Sequence, residues 1–590
     1  MTIQSAPSTA GTVPPLSELP PAARIEARLA YLYGADRAAE IARRITRLIK
    51  THRQLRTRVV QGAYWSHADT VLISYGDTIQ SSTHPPLQTL HRFLVEHLHD
   101  AFSMLHILPF FPWSSDDGFA VTDFRAVKPD LGGWQDIRRI AEDFDLVVDL
   151  VLNHCSRENL WFVDFIFGDA PACNYFIEMP PTTNVSMVTR PRTTPLLSGV
   201  RTPQGLRHVW TTFSNDQIDL NYANPDVLVE FIDIMLYYIR RGARMLRLDA
   251  VAYLWKELGT RCIHLPQTHQ VVKLLRDVLD LVEPGALIMT ETNVPHAENI
   301  AYFGTGDEAH VIYQFSLPPL LLHALHSGSS RYLNAWATDL ESSPPPPNCT
   351  YLNFTASHDG VGLRPLEGLI PPDEINNLLD AMRERGGYIS TKSNVDGSES
   401  PYELNISYFD AFRDPLADQT RQIASFMVSQ LITLAFRGIP AVYFHCLTAT
   451  PNDYLGVERT GMTRSINRRK WDDAELRYLV CDPASTTGTV FPLYQRALVI
   501  RRQQAAFHPD AAQTILELGD SVFGFERVAL DASQHILVVA NLTAQPVMID
   551  RERLPGDLAQ RIDLLGTDST VIQDDQLHIP GHAVLWLAAS

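Results

Sequence analysis

The chain has 590 residues, 45% of them hydrophobic, and a formal charge of -18 that repels nucleic acid and anionic membrane surfaces alike, which excludes both as expected partners. No stretch reaches the ~20 apolar residues needed to span a bilayer, the start of the chain has neither the basic residues nor the apolar core of a secretion signal, and the six cysteines (Cys155, Cys173, Cys262, Cys349, Cys446, Cys481) lack the CxxC or CxxH spacing of a zinc site. These features predict a soluble cytoplasmic protein with reduced thiols, long enough for a catalytic domain with insertions or an added module.

The first ~18 residues, rich in Pro, Ser, Thr and Ala, read as disordered. Apolar residues at helical spacing then predict two helices, in AARIEARLAYLYG and RAAEIARRITRLIKTHRQ, completing an N-terminal extension over 1–68 that packs on the main domain or mediates a homodimer. Strand-like runs follow in TVLISYGDTIQ, in SMLHILPFFP with Asp116 and Asp117 in its polar tail, and in LVVDLVLNH. Residues 157–222, with PP, PRTTP and many Thr and Asn, are too long for an ordinary connection and read as a small inserted domain. Next come a helix in VLVEFIDIMLYYIRRG, a strand in ARMLRLDAV, a helix in VVKLLRDVLDLV, and strands in ALIMTE, VIYQFSLPP and TYLNFTASHD, the last preceded by a rigid PPPP loop. A second insertion, 362–412, is rich in Gly, Ser, Asn and Pro and reads as a loop that closes over a ligand. IASFMVSQLITLAFRGIPAVYFH supplies a helix and a buried strand, and LYQRALVIRRQ a last helix, ending a catalytic domain over 69–508. Over 509–590 the alternating segments SVFGFERVAL, HILVVANLT and AVLWLAA predict an antiparallel β domain. The recurring strand–helix units predict an α/β fold, a (β/α)8 TIM barrel with inserted loop domains.

Four apolar runs end in polar residues: DLVLNH (149–154), RLDAV (247–251), IMTET (288–292) and FTASHD (354–359). Barrel enzymes keep their chemistry at the carboxyl ends of such strands. Three carboxylates, Asp249, Glu291 and Asp359, arrive there with Arg247, His154 and His358, the groups needed to cleave a glycosidic bond. Arg247 and Asp249 share a strand face, so the guanidinium is expected to keep Asp249 ionised as a nucleophile. Glu291 follows an apolar run whose burial would raise its pKa and suit it as the acid, then the base. Asp359 is left to grip sugar hydroxyls as the ring flattens. Singly, each match is more often a structural ion pair or a scaffold histidine; four in fixed order at strand ends make the joint reading. There is no HExxH motif or Asp-rich calcium loop, so no metal is expected.

The segments HILPFFPWSSDDGF, DLVLNHCSRENLWF, RLDAVAYLWKELGTRC, ETNVPH, YQFSLPPLLLHAL, FTASHDGVGL and TRSINR resemble those of glycoside hydrolase family 13, specifically its sucrose phosphorylase branch, from about residue 70 to the end of the chain. The resemblance implies Asp249 as nucleophile, Glu291 as acid/base and Asp359 as transition-state stabiliser. It further implies His154, Arg247 and His358 lining a glucose subsite, Asp116 paired with Arg464 at its closed end, and Phe119 as an apolar platform. Arg192 in TRPR and Tyr402 in SPYELN resemble phosphate contacts, while Arg190 and Lys256 read equally as loop or surface charges. The implied chemistry is a retaining double displacement with inorganic phosphate as co-substrate and no cofactor. Thr189 stands where sucrose phosphorylases have Tyr, and Glu403 where they have Gln, which weakens fructose recognition. The VTRPR and SPYELN forms, DDGF and the added helices resemble glucosylglycerate phosphorylases more closely. Glu403 is awkward beside an anionic glycerate unless an arginine intervenes or it points elsewhere. Sucrose or glucosylglycerol phosphorylase, an α-glucoside hydrolase or transglucosidase, and a non-catalytic binding subunit are the alternatives.

Overall fold

A computed structural model describes residues 19–55, 64–394, 396–414, 418–556, 561–566, 571–573 and 576–589; the segment read as disordered at the start of the chain lies outside them. Eight short parallel strands close into a barrel: β1 (Val71–Ser74), β2 (Met104–Ile107), β3 (Asp145–Val151), β4 (Ala243–Asp249), β5 (Leu287–Thr290), β6 (Val311–Tyr313), β7 (Thr350–Asn353) and β8 (Ile439–Tyr443). Each pairs with the next in sequence, and β8 closes the ring on β1. These strands are buried nearly throughout, which is why their sequences are continuous apolar runs rather than alternating ones.

The two predicted N-terminal helices are α1 (Pro21–Tyr33) and α2 (Ala35–Leu55). They lie against the barrel helices α3 (Pro225–Arg240) and α4 (Pro266–Val282). Arg28, 2% exposed, reaches Asp277 at 2.6 Å, and Arg24 reaches the other oxygen of the same carboxylate at 2.5 Å. Arg44 meets Asp226 at 2.6 Å and His52 meets Asp233 at 2.9 Å. A buried pair of this kind fixes where the helices sit more than it adds net stability.

After β3 the chain runs through a helix (Leu160–Phe167) and a hairpin (Leu197–Thr202 with Gly205–Trp210), then returns as Gln217–Asp219 to pair with His154–Ser156. The second insertion departs from its reading as a loop. It holds a helix (Pro372–Glu384) and an antiparallel hairpin, Tyr388–Ser393 with Glu399–Asn405, whose second strand also pairs with Val361–Gly362. The Asn394 amide donates to the Ser398 carbonyl across the tip, and Gly397 takes the left-handed φ of 84° that the turn requires. The first of these strands is exposed at Tyr388 and half-buried from Ile389 to Ser393, so it lacks the apolar alternation by which sequence patterning recognises a strand.

The C-terminal region forms an antiparallel five-stranded sheet (Ala512–Leu516, Val522–Val528, His535–Asn541, Val584–Ala589, Arg561–Asp563) and a three-stranded one (Val547–Asp550, Gln576–Ile579, Val571–Gln573). Arg527, fully buried, fastens the larger sheet to the barrel by donating to the Ala435 carbonyl at 2.6 Å and the His508 carbonyl at 2.7 Å.

Candidate active site

Strand register sets the floor of the site. Asp149 on β3 lies opposite Arg247 on β4, and Arg247 and Asp249 point to one face. Arg247 Nη1 donates to Asp149 Oδ1 at 2.5 Å and to Asp249 Oδ1 at 2.8 Å, while His106 Nε2 sits 2.7 Å from Asp149 Oδ2. Arg247 is therefore shared between two carboxylates and only partly available to Asp249. Burial pushes the Asp249 carboxyl up to about 7, Arg247 only partly opposes it, and the negative charges of Asp149 and Asp359 add to the rise.

Glu291 follows β5. Its carboxylate accepts the Ala250 N–H at 3.1 Å, and Arg247 Nη2 is 3.9 Å away. Ala250 aims that amide by adopting a left-handed φ of 50°, a strained conformation for an alanine at the end of a strand. Burial pushes Glu291 up to about 7, reinforced by Asp249 and Asp359. Asp359 goes the other way: burial would raise it, but Arg464 at 2.7 Å, His358, Arg247 and Arg468 hold the carboxyl well below the usual range. Two carboxyls raised by burial therefore stand beside a third that stays charged.

A folded-state value near 7 for Glu291, against an ordinary 4.5, means that the folded chain holds this proton more tightly than the unfolded chain does. The corresponding stability is complete below the ordinary value and is lost as pH rises through 7. Glu291→Gln is thus expected to melt above wild type at pH 8, with the gap closing toward pH 4, as calorimetry would measure.

The pocket above these groups is an open cleft with about 730 Å3 of empty space, its solvent-facing mouth included. Asp116, Phe119, His154, Arg192, Asp249, Glu291, His358, Asp359, Tyr402 and Arg464 all line it. Arg247 lies just beneath, 2.8 Å from Asp249. His358 stacks on Phe119 at 4.8 Å and is held down to about 3 by burial. His154, also lowered by burial, has Nε2 at 2.9 Å from the Phe119 carbonyl and 3.2 Å from Gln217 Nε2. Both rings are neutral hydrogen-bonding groups at neutral pH. Arg192 lies over the Tyr402 ring at 5.3 Å. Arg190 folds back onto the Thr193 and Thr194 carbonyls. Lys256 is no surface charge: it is buried, 2.8 Å from both Asp219 and Asn153, and ties the first insertion to the residue before His154.

The Asp116–Arg464 ion pair does not form. Arg464 is forked by Glu403 instead (Nε to Oε1 3.1 Å, Nη2 to Oε2 2.9 Å), and Asp116 faces Arg468 Nη1 at 3.6 Å. A bidentate carboxylate in the plane of the guanidinium holds it better than a single-point contact. Glu403, 1% exposed, therefore stands behind the pocket wall. Phe213, Gln217, Tyr253, Asn293, Val294 and Phe315 also line the pocket. No strand-end motif marks them apart from Asn293, which sits two residues after Glu291 in ETN. Arg468 was legible in principle, four residues after Arg464 in TRSINR. Among the described residues no group of three or more His, Cys, Asp or Glu is placed to hold a metal ion, and no helix is long and apolar enough to cross a membrane.

A family model of the alpha-amylase catalytic domain matches residues 100–359. The chain is 45% identical over 534 residues to the glucosylglycerate phosphorylase of Spirochaeta thermophila, covering 88% of this chain and 90% of the relative. It is 44% identical over 541 residues to that of Allomeiothermus silvanus, with 91% and 96% covered. Among solved structures, the sucrose 6F-phosphate phosphorylase from Thermoanaerobacter thermosaccharolyticum aligns with a TM-score of 0.70 at 25% identity, over 81% of this chain and 94% of its own. Identity at that level over about nine-tenths of both chains is common descent, and the chain belongs to glycoside hydrolase family 13, in the branch of the glucosylglycerate and sucrose phosphorylases.

Proposed function

We propose that this protein catalyses the reversible phosphorolysis of 2-O-α-glucosylglycerate to α-glucose 1-phosphate and glycerate, with inorganic phosphate as co-substrate and no cofactor. In the first step the Asp249 carboxylate attacks the anomeric carbon, the bond to the glycerate oxygen breaks, and Glu291 delivers its proton to that oxygen. In the second, a phosphate oxygen attacks the same carbon from the side the glycerate left, the Asp249 ester breaks, and Glu291 takes up the phosphate's proton. Two inversions retain the α configuration. Asp359, ionised throughout, hydrogen-bonds the sugar hydroxyls most strongly as the ring flattens. His154, His358, Asp116 and Arg464 hold the glucose, with Phe119 as its apolar floor.

The single observation that carries this reading is the convergence of Asp249, Glu291 and Asp359 on one pocket, where Arg464 lies 2.7 Å from Asp359. Burial raises the first two carboxyls while the arginines hold the third charged, which suits a nucleophile and acid beside a fixed negative charge. The choice of glycerate rests on the relatives' activity and on the mouth of the pocket. There Arg192 meets the Tyr402 ring, and Arg192 and Arg364 both bear electrostatically on the Tyr253 and Tyr402 hydroxyls, a setting suited to an anionic acceptor or to phosphate. Glu403 does not oppose an anion there, because Arg464 neutralises it behind the wall.

Phosphate release from α-glucose 1-phosphate, measured with D-glycerate, glycerol, fructose or no acceptor, tests the reading. Release is expected to depend on D-glycerate. Preference for fructose or glycerol would replace the acceptor, equal release without acceptor would make the enzyme a hydrolase, and none at all would overturn the proposal.

A further inference from the structure

We infer that Glu403 is a positioning residue for the transition-state stabiliser Asp359, acting through Arg464, and not a contact for the acceptor. The inference rests on the reaction proposed above. Glu403 lies on the second strand of the hairpin, in register with Gly362, three residues beyond Asp359. One of its oxygens accepts the Gly360 N–H, and both receive the Arg464 guanidinium. The remaining nitrogen of that guanidinium, Nη1, reaches Asp359 Oδ1 at 2.7 Å. The carboxylate thus holds the backbone just after Asp359 and the cation that grips its side chain.

The local sequence is fitted to this contact. A Cβ on Gly360 would meet both the Leu404 carbonyl oxygen and, at 2.6 Å, Glu403 Cγ, so only glycine lets this strand and its carboxylate approach so closely. Asp116, the other carboxylate bearing on Arg464, is engaged by Arg468 and Gln217. Without Glu403, Arg464 is free to turn toward Asp116 and away from Asp359. Alternation along the strand places the neighbouring Tyr402 at the pocket wall beside Arg192. One strand therefore docks the phosphate side of the pocket and sets the stabiliser on its glucose side.

Isotope exchange between inorganic phosphate and α-glucose 1-phosphate, run without acceptor, separates the roles, because it needs the carboxylates and the phosphate site but no glycerate. Glu403→Gln, nearly isosteric, is expected to slow exchange by about 10–100-fold, as for loss of a preorganised electrostatic contact, and to lower kcat of glycerate-dependent turnover equally with KM for D-glycerate unchanged. Glu403→Asp, which restores the charge, is expected to recover part of the exchange and keeps the test readable if the Gln variant melts below the assay temperature. Exchange at the wild-type rate with a raised KM for D-glycerate would overturn the inference and make Glu403 an acceptor contact. Wild-type protein with no exchange would overturn the double-displacement reading, and this inference with it.

Discussion

Asp249→Ala is expected to abolish turnover, with phosphorolysis, the reverse synthesis and acceptor-free phosphate exchange all falling on the order of 10^4-fold or more. The three must fall together because each passes through the same ester between Asp249 and the anomeric carbon. The loss would not come from unfolding. Arg247 keeps Asp149 at 2.5 Å when Asp249 is removed, so no buried cation is left without a partner, and the deleted group is one that burial holds in an unfavourable setting. A melting curve at or above wild type alongside the lost activity would identify Asp249 as a reacting group. Phosphate exchange in the variant within about tenfold of wild type would remove Asp249 from the mechanism and the double displacement with it. Incubating wild-type protein with α-glucose 1-phosphate at low phosphate and without acceptor, followed by mass spectrometry of its peptides, should find glucose on the peptide that carries Asp249.

The barrel was readable because its strands are buried on all sides: runs such as VLIS in β1 or LIMT in β5 are apolar up to their last residue, and after β5 the next residue, Glu291, is delivered to the pocket. The same logic placed Asp249, Glu291, His154 and His358 around one pocket. The hairpin escaped because its first strand is only half-buried and its composition of Gly, Ser and Asn reads as a loop. Charge partners were the least legible. Whether Arg247 serves Asp249 depends on Asp149, 98 residues earlier. Whether Arg464 serves Asp116 depends on Glu403, 61 residues earlier. Such competition between distant groups is decided by packing and leaves no local pattern. Glu403 itself was visible as a departure from the sucrose phosphorylase pattern, but the bond that makes sense of it, to the amide of Gly360, is a feature of the fold alone.

Glu291→Gln is expected to divide the two half-reactions. Glycerate leaves as an alkoxide unless it is protonated, so phosphorolysis of glucosylglycerate should fall by about 10^2–10^4-fold, the usual worth of a general acid. Phosphate departs from α-glucose 1-phosphate as a stable anion and depends far less on a proton donor, so acceptor-free exchange should be hurt less, by a margin of about tenfold or more. The glutamine keeps the shape of the side chain and an oxygen for the Ala250 N–H, so a difference between the two rates reports the proton and not the fit. The pH profile carries the same signature. In wild type the active form has one proton on the Asp249–Glu291 pair: activity falls on the acid side as a second proton silences Asp249, and on the alkaline side as Glu291 loses its own, with both limbs moved toward neutrality by burial. In Glu291→Gln the alkaline limb should disappear. The acid limb should stay close to its wild-type position, because Asp249 takes its proton beside a neutral Glu291 in wild type and beside a neutral glutamine in the variant, with Arg247 2.8 Å away in both. If glycerate release and phosphate exchange fell by the same factor and the alkaline limb persisted, the proton would come from another group, and Glu291 would serve only to shape the pocket.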